Sequence, residues 1–388
     1  MRNNFLAYAR PSIAANEIDR VVESLRNGWL TTGPSVKALE DRFVQASGVA
    51  HAVALNSCTA ALHLGLIALG VGPGDEVVMP SLTFVAGAQC AREIGAIPVF
   101  ADVDELTLTV TAQSVAAVTT SRTRCIIPMH YAGRPAPVDE IVAFARPRGI
   151  KVLEDAAHSV GMLSRGRWAG AGSDAAAFSF YPTKNITSGE GGLLLTNDGE
   201  IASRVRRLSL HGMSRDAWKR YTAGGSWQYD VVELGYKYNL PDIGAAIALA
   251  QLERLDELQA ERERLARHYH RRLTGIPGIT AITQFLRQPD RHSWCMFVVS
   301  IEEEAGVSRD AVIDYCKQSN IGTSVHYIPT HRFTAYKDLP ARLPVTDMIW
   351  KRILSLPLYP GMTLQDVDDV VEAIVRVAQS AEVKASVA

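Results

Sequence analysis

Lys184 stands in a loop, FSFYPTKNITSGEGG (178–192), between two strand-like runs, and Asp155 closes a third such run in KVLEDAAHSVG (151–161). A third segment, LNSCTAALHLGL (55–66), opens a helix with a short polar turn that holds Asn56, Ser57 and Thr59. Taken singly, each has a plain structural meaning: an Asp capping the next helix, a surface lysine, an N-cap. Taken together they meet three demands of one ligand. A helix start offers unsatisfied N–H groups and a positive dipole end to a phosphate, with a hydroxyl such as Ser179 nearby. A carboxylate at a strand end keeps a pyridine nitrogen protonated, so that the ring can withdraw electrons. A lysine whose amine is neutral can condense with an aldehyde. The ligand with those three parts is pyridoxal phosphate, which predicts Lys184 as its Schiff-base partner and Asp155 as the partner of its ring nitrogen.

Those residues need a scaffold that brings strand ends together. From about residue 50 the chain alternates helix-like and strand-like segments: TAALHLGLIALG then EVVMP, FVAGAQCAREIG then IPVFAD, and the strands RCIIP, KVLED, AAAFSF and GLLLT. Such alternation predicts an α/β fold, a mostly parallel sheet with helices on both faces and ligands beyond the carboxyl ends of its strands. PDIGAAIALAQLERLDELQAERERLARHYHRRL (241–273) reads as one long helix, apolar first and charge-laced later. Beyond it, WCMFVVS, a helix near 308–319, a strand at GTSVHY and a last helix near 364–379 suggest a smaller C-terminal α/β unit, with EVKASVA a frayed tail. The expected division is a large domain over 12–250 and a small one over 251–388, on which residues 1–11 pack. GVGPGD is a helix-to-strand turn, in the reverse order of a dinucleotide fingerprint.

Composition excludes several classes. A net charge of −1, with 47% hydrophobic and 21% charged residues, gives no footprint for nucleic acid or an anionic membrane. No apolar run reaches membrane-spanning length, and the first residues lack a signal-peptide core. The five cysteines (58, 90, 125, 295 and 316) show neither C-x-x-C nor metal spacing, and Cys125 and Cys295 fit buried apolar positions. The expectation is a reduced cytoplasmic protein without a metal.

The chain resembles the DegT/DnrJ/EryC1/StrS sugar aminotransferases, of the aspartate-aminotransferase superfamily (fold type I). The likeness lies in ordered blocks: GWLTTGP (28–34), NSCTAALHLGLIALGVGPGDEVVMPSLTFVA (56–86), GAIPVFADVD (95–104), MHYAGRP (129–135), VLEDAAHSVG (152–161) and FSFYPTKNITSGEGG. HGMSRDAWKRY, LGYKYNLPDIGAAIALAQL, SVHYIP and LSLPLYPGMT complete it. The resemblance implies that Lys184 moves the proton between substrate and cofactor carbons and that Asp155 binds the ring nitrogen. It sets His158 beside the ring, where a capping or core histidine is the alternative, and stacks Phe84 on the ring face rather than in a core. Ser179 and the turn of Ser57, Cys58 and Thr59 would hold the phosphate. Cys58 replaces a glycine common in the family, and Lys237 replaces an asparagine that reaches the neighbouring subunit's cofactor phosphate. Lys237 keeps that role, with Asn239 as a competing candidate, and either makes the protein a homodimer with shared sites. His326 and Tyr327 are candidates for the sugar. Arg215, Lys219 and Arg220 form either solvated surface or a diphosphate contact. The implied reaction moves an amino group from an amino acid, glutamate by resemblance, to a nucleotide-linked 4-keto or 3-keto sugar. Alternatives are a cyclitol aminotransferase, a sugar dehydratase (which carries histidine in place of the lysine) and a non-catalytic cofactor-binding regulator.

Overall fold

The computed structural model describes residues 2–214 and 229–387. Its first half runs α1 (Ala15–Arg26), α2 (Pro34–Ser47), β1 (His51–Leu55), α3 (Cys58–Ala68), β2 (Glu76–Pro80), α4 (Ala86–Glu93), β3 (Ile97–Ala101), α5 (Ala112–Ala116), β4 (Thr123–Ile126) and α6 (Val138–Ala145). Then come β5 (Lys151–Asp155), β6 (Ala175–Ser179), β7 (Gly192–Thr196), α7 (Gly199–Leu208), α8 (Asp242–Glu253) and α9 (Leu255–Leu273). The chain ends with β8 (Ile279–Ala281), β9 (Phe297–Ile301), α10 (Arg309–Gln318), α11 (Pro344–Ile349), β10 (Ile353–Leu356) and α12 (Leu364–Val387).

Seven strands form the main sheet in the order β1-β7-β6-β5-β4-β2-β3. Only β7 runs against its neighbours; β6, β5, β4, β2 and β3 pair in parallel. This is the mostly parallel sheet of fold type I, buried on both faces. Strand alternation sorts its residues. Ala175 and Ala177 of β6, Leu153 of β5 and Leu194 of β7 face the α3 side, packed with Leu62, Leu64 and Leu66. Ala176, Phe178, Leu193 and Leu195 face the other side, with Phe43 of α2 and Ala248 of α8. A second, three-stranded antiparallel sheet, β10-β9-β8, packs with α9, α10 and α12 around Phe297, Tyr269 and Val370. Residues before α1 run along this sheet's unit, since Leu6 bridges Ile321 and its N–H donates to the Asn320 carbonyl at 2.8 Å. Among the described residues no helix is long and apolar enough to cross a membrane.

Three expectations need correction. Residues 241–273 form two helices, because Arg254 leaves helical geometry (φ −98°, ψ 10°). α8 packs on α1 and α2 while α9 packs on α12 and β8, and one straight rod cannot follow both. Arg254 is held at the bend by Glu17 and Glu257, at 2.8 and 2.9 Å. GTSVHY forms no strand; it keeps a single bridge, Ser324 to Ser355, since the His326 carbonyl is taken by the Tyr131 hydroxyl instead of a ladder partner. The tail expected to fray continues α12 to Val387.

Gly192 shows how tightly the elements meet. It pairs with Leu55 at the β1–β7 edge, and a Cβ there would lie 2.4 Å from the Cys58 nitrogen and 2.4 Å from the Ser57 carbonyl carbon. Both are backbone atoms of the α3 entry, which cannot swing away as a flexible side chain would. Gly192→Ala is expected to lower the unfolding free energy by about 1–3 kcal/mol in a urea titration. Gly72→Ala, with open space around it, should leave the midpoint nearly unchanged.

Candidate functional site

A cavity of about 560 Å³ opens beyond the carboxyl ends of β5 and β6 and the start of α3. Ser57, Cys58, Thr59, Phe84, Asp155, Ser179, Lys184, His326 and Tyr327 all line it. Its floor is the α3 entry. Ser57 is extended (φ −165°, ψ 161°), and its hydroxyl accepts the Ala60 N–H at 3.0 Å. That cap leaves the first-turn N–H groups of Cys58 and Thr59 for an anion. The Cys58 side chain is turned aside, its thiol towards the Ala177 carbonyl at 3.5 Å, and burial first, then Asp155, pushes its pKa well up. The substitution for glycine thus keeps the backbone contact open and the thiol protonated. Ser179 closes β6 at the same wall. Cys90, Cys125, Cys295 and Cys316 are free and buried.

The adjacent acids of β5 are separated by alternation. Asp155 shares the face of Leu153 and lines the cavity; Glu154 turns away. There Glu154 is held by His130 (2.7 Å), the Gly170 N–H (2.7 Å) and the Ser173 hydroxyl (2.5 Å). His130 accepts the Ala136 N–H at Nδ1, so its Nε2–H is the donor to Glu154. The carboxylate of Asp155, a residue 6% exposed, accepts among the described residues only the Ala157 N–H, at 3.1 Å, in a turn that leads into no helix, so it is not a helix cap. Burial raises its pKa; the Ala157 N–H, Lys184 and His130 pull the other way and do not cancel it. A carboxylate desolvated in this way suits a cationic ring nitrogen.

Lys184 follows β6 in a loop whose main chain is pinned from below. Its N–H donates to the Tyr181 carbonyl at 2.9 Å, and its carbonyl accepts from Arg262 at 3.2 Å. The buried Arg262 also donates to the carbonyls of Trp294, Cys295 and Leu358, so α9 ties the lysine loop to the small sheet's unit. His158 lies one layer behind the cavity wall. Its Nε2 meets the Tyr327 hydroxyl at 2.9 Å, and its buried Nδ1 has no partner among the described residues. Burial, and then Lys184, hold its pKa well down, so it stands as a neutral ring. Phe84 is 57% exposed with its ring 6.1 Å from that of Tyr327, a slot wall and not a core residue. His326, which bonds Ser355 at 2.8 Å, is pushed down to about 3 by burial and Lys184.

Lys237 and Asn239 lie elsewhere, in a separate recess of about 210 Å³ with Trp29, Thr31 and Thr32. Asn239 donates to the Thr32 hydroxyl at 2.8 Å. Neither reaches the cavity of its own chain. Arg215, Lys219 and Arg220 lie outside the described residues. Sequence reading missed Tyr8, Tyr181, Thr183, Glu190 and Ser324, which also line the cavity. Tyr181, Thr183 and Glu190 sat inside the quoted lysine motif and could have been found there. Tyr8 had no local signal; the Leu6–Ile321 bridge brings it in, 5.3 Å from the His326 ring.

An anion-ready helix start, a desolvated carboxylate and a loop lysine around one cavity fit pyridoxal phosphate. On this sheet they define a fold-type-I pyridoxal-phosphate enzyme. The chain belongs to the DegT/DnrJ/EryC1/StrS aminotransferase family, whose model matches residues 11–375. It is 47% identical over 387 residues to the spore coat polysaccharide biosynthesis protein SpsC of Bacillus subtilis, covering 98% of this chain and 99% of that one. Spr1654 of Streptococcus pneumoniae, solved in PLP and PMP forms, superposes with a TM-score of 0.90 (PMP form) at 30% identity, covering 97% of this chain and all of the other. DesI, solved in the presence of its TDP-sugar product, gives 0.89 at 31% identity, covering 100% and 96%. Pyridoxal phosphate is the cofactor of this family and of this protein.

The raised Asp155 pKa has a measurable sign in protein stripped of cofactor. The folded chain holds that proton more tightly than the unfolded chain, whose carboxyl titrates near ~4. The favourable protonated state is therefore fully populated below that value, and stability is lost as pH rises through the folded pKa. Apo Asp155→Asn should unfold at a higher temperature than apo wild type at pH 8. The gap should close towards pH 4 in calorimetric scans; equal midpoints at pH 8 would contradict the burial argument.

Proposed function

We propose that this protein transfers an amino group from an amino acid, glutamate, to a keto sugar carried on a nucleoside diphosphate, at its 4- or 3-carbon. The observation that supports it most is the convergence of Lys184, Asp155 and the Ser57–Thr59 helix start on one cavity. Bound pyridoxal phosphate supplies an aldehyde and a ring that withdraws electrons. Lys184 Nζ would hold that aldehyde between turnovers and, in each half of the transfer, would move a proton between the substrate carbon and the cofactor carbon. Asp155 holds the proton on the ring nitrogen. The Cys58 and Thr59 N–H groups and the Ser179 hydroxyl would bind the phosphate, Phe84 would cover one ring face, and His158 would lie beside the ring and its oxygen. His326 and Tyr327, which line the same cavity, would face the acceptor. The sugar reading draws on SpsC and DesI, whose names and ligand speak of polysaccharide and nucleotide-sugar chemistry.

The same reading takes residues 12–250 and 251–388 as the two domains of a soluble cytoplasmic enzyme, with residues 1–11 on the second. It also takes the protein as a homodimer, in which Lys237 or Asn239 reaches the phosphate held by the partner. Two inactive variants, Lys184→Ala and Lys237→Ala/Asn239→Ala, should then regain about a quarter of wild-type activity when refolded as a mixture, since statistical mixing rebuilds one intact site in half of the dimers. No recovery in a mixture shown to exchange subunits would refute shared sites.

Borohydride reduction should fix the cofactor to the wild-type chain at residue 184 and leave Lys184→Ala unlabelled. With glutamate, the visible absorbance should move to that of the pyridoxamine form. A panel of nucleotide-linked keto sugars, assayed with ¹⁵N-glutamate and read by mass, should show one sugar taking the label. No absorbance change with any amino acid would sink the transaminase reading.

A further inference from the structure

Two stretches of chain that each carry a lining residue of the cavity, Phe84 and Tyr327, are fastened together away from it. Residues 81–83 follow β2 and lead directly to Phe84; residues 330–331 follow Tyr327 by three and four positions. The Thr330 N–H donates to the Ser81 carbonyl at 2.8 Å, and the His331 N–H donates to the Ser81 hydroxyl at 3.1 Å. That hydroxyl in turn meets His331 Nδ1 at 2.7 Å. The other ring nitrogen, Nε2, lies 3.2 Å from Asp347 of α11, which is also gripped by Arg332 at 2.6 Å. The partners fix the tautomer: Nε2–H donates to the carboxylate, and Nδ1 accepts the Ser81 proton.

A Ser–His–Asp series invites a hydrolytic reading, but Ser81 is 0% exposed and no substrate atom can reach it. The chain has a different consequence. The Phe84 ring packs against that of Tyr327, 6.1 Å between centroids and tilted by 56°, and Tyr327 also bonds His158. A loop residue such as Phe84, 57% exposed and with little packing of its own, depends on its anchor for its place. We infer that His331 is a positioning residue: through Ser81 it sets where the Phe84 ring stands against Tyr327, and so the angle at which Phe84 would meet the cofactor ring. This rests on the reading of the cavity as the reaction site. Asp347 acts by holding the imidazole in the tautomer that can accept from Ser81, as a carboxylate does for histidines in catalytic relays, here without chemistry of its own.

The test uses holoenzyme of four variants: His331→Ala, Ser81→Ala, the double variant, and His331→Asn, whose amide oxygen takes the place of Nδ1. Two quantities are read per bound cofactor: the visible circular dichroism, which reports ring tilt, and the second-order rate of spectral conversion by glutamate. Each Ala variant should lose about tenfold in rate, the scale of one net hydrogen bond, together with a weakened dichroic band. The double variant should lose no more than Ser81→Ala alone, because that change already removes the side-chain link along with the His331 N–H contact to the same oxygen. His331→Asn should stay within about twofold of wild type. The inference is overturned if His331→Ala matches wild type in both quantities, if the two losses multiply, or if Asn is as impaired as Ala. Should His331→Ala fail to fold, Ser81→Ala alone, a deletion of one oxygen, decides by the same two readings. If wild type itself shows no conversion by glutamate, the transaminase reading fails, and the dichroic band still reports on His331.

Discussion

Asp155 is a carboxylate sunk into protein with no ion-pair partner among the described residues. Removing such a group from water is costly unless a charge or a set of donors offsets it, and the Ala157 N–H, Lys184 and His130 do so only in part. A globular chain keeps a group like this where a ligand supplies the missing cation. The surrounding arrangement follows from holding that carboxylate in place: it ends a central strand of a sheet buried on both faces, so it has little freedom to turn towards solvent. The neighbouring acid shows the contrast. Glu154, one residue earlier and on the opposite face, is satisfied by His130, Gly170 and Ser173 and braces the sheet.

Around this fixed point the cavity is assembled from parts far apart in the chain. The large sheet supplies Asp155, Ser179, Lys184 and the α3 entry, and the C-terminal segments supply His326 and Tyr327. Among the links that join the two sides are Arg262 gripping the carbonyl of Lys184, Tyr327 bonded to His158, and His331 bonded to Ser81. None of them is a surface ion pair, whose worth would be small. They are buried or half-buried hydrogen bonds, in which loss of one partner leaves the other unsatisfied. The N-terminal segment closes the remaining side with Tyr8, lying on the small sheet's unit.

Much of this was legible in the residues. The alternation of apolar runs gave the sheet and its helices, because strands buried on both faces need continuous apolar sequence and helices over them need small or apolar faces. The strand-end acid, the loop lysine and the polar turn before a helix identified the cofactor, since each is a local signal of a chemical demand. Where a local signal was absent, reading failed. The bend at Arg254 carries neither Pro nor Gly and arises from two different packing surfaces. The GTSVHY segment has strand composition, but its backbone is committed to Tyr131.

The sequence by itself determined the chemistry: which residues are acid, amine and hydroxyl, and which turn leaves N–H groups free, are properties of short segments. Tertiary structure decided which of these groups share a space. It chose Asp155 over Glu154 by the face of one strand, exposed Phe84 instead of burying it, and placed Lys237 and Asn239 away from their own chain's cavity. It also recruited Tyr8 and His331, whose neighbours in sequence give no hint of a role. The physical reason is that hydrogen bonds and burial depend on distances in space, and distances between segments hundreds of residues apart are fixed only by how the whole chain packs.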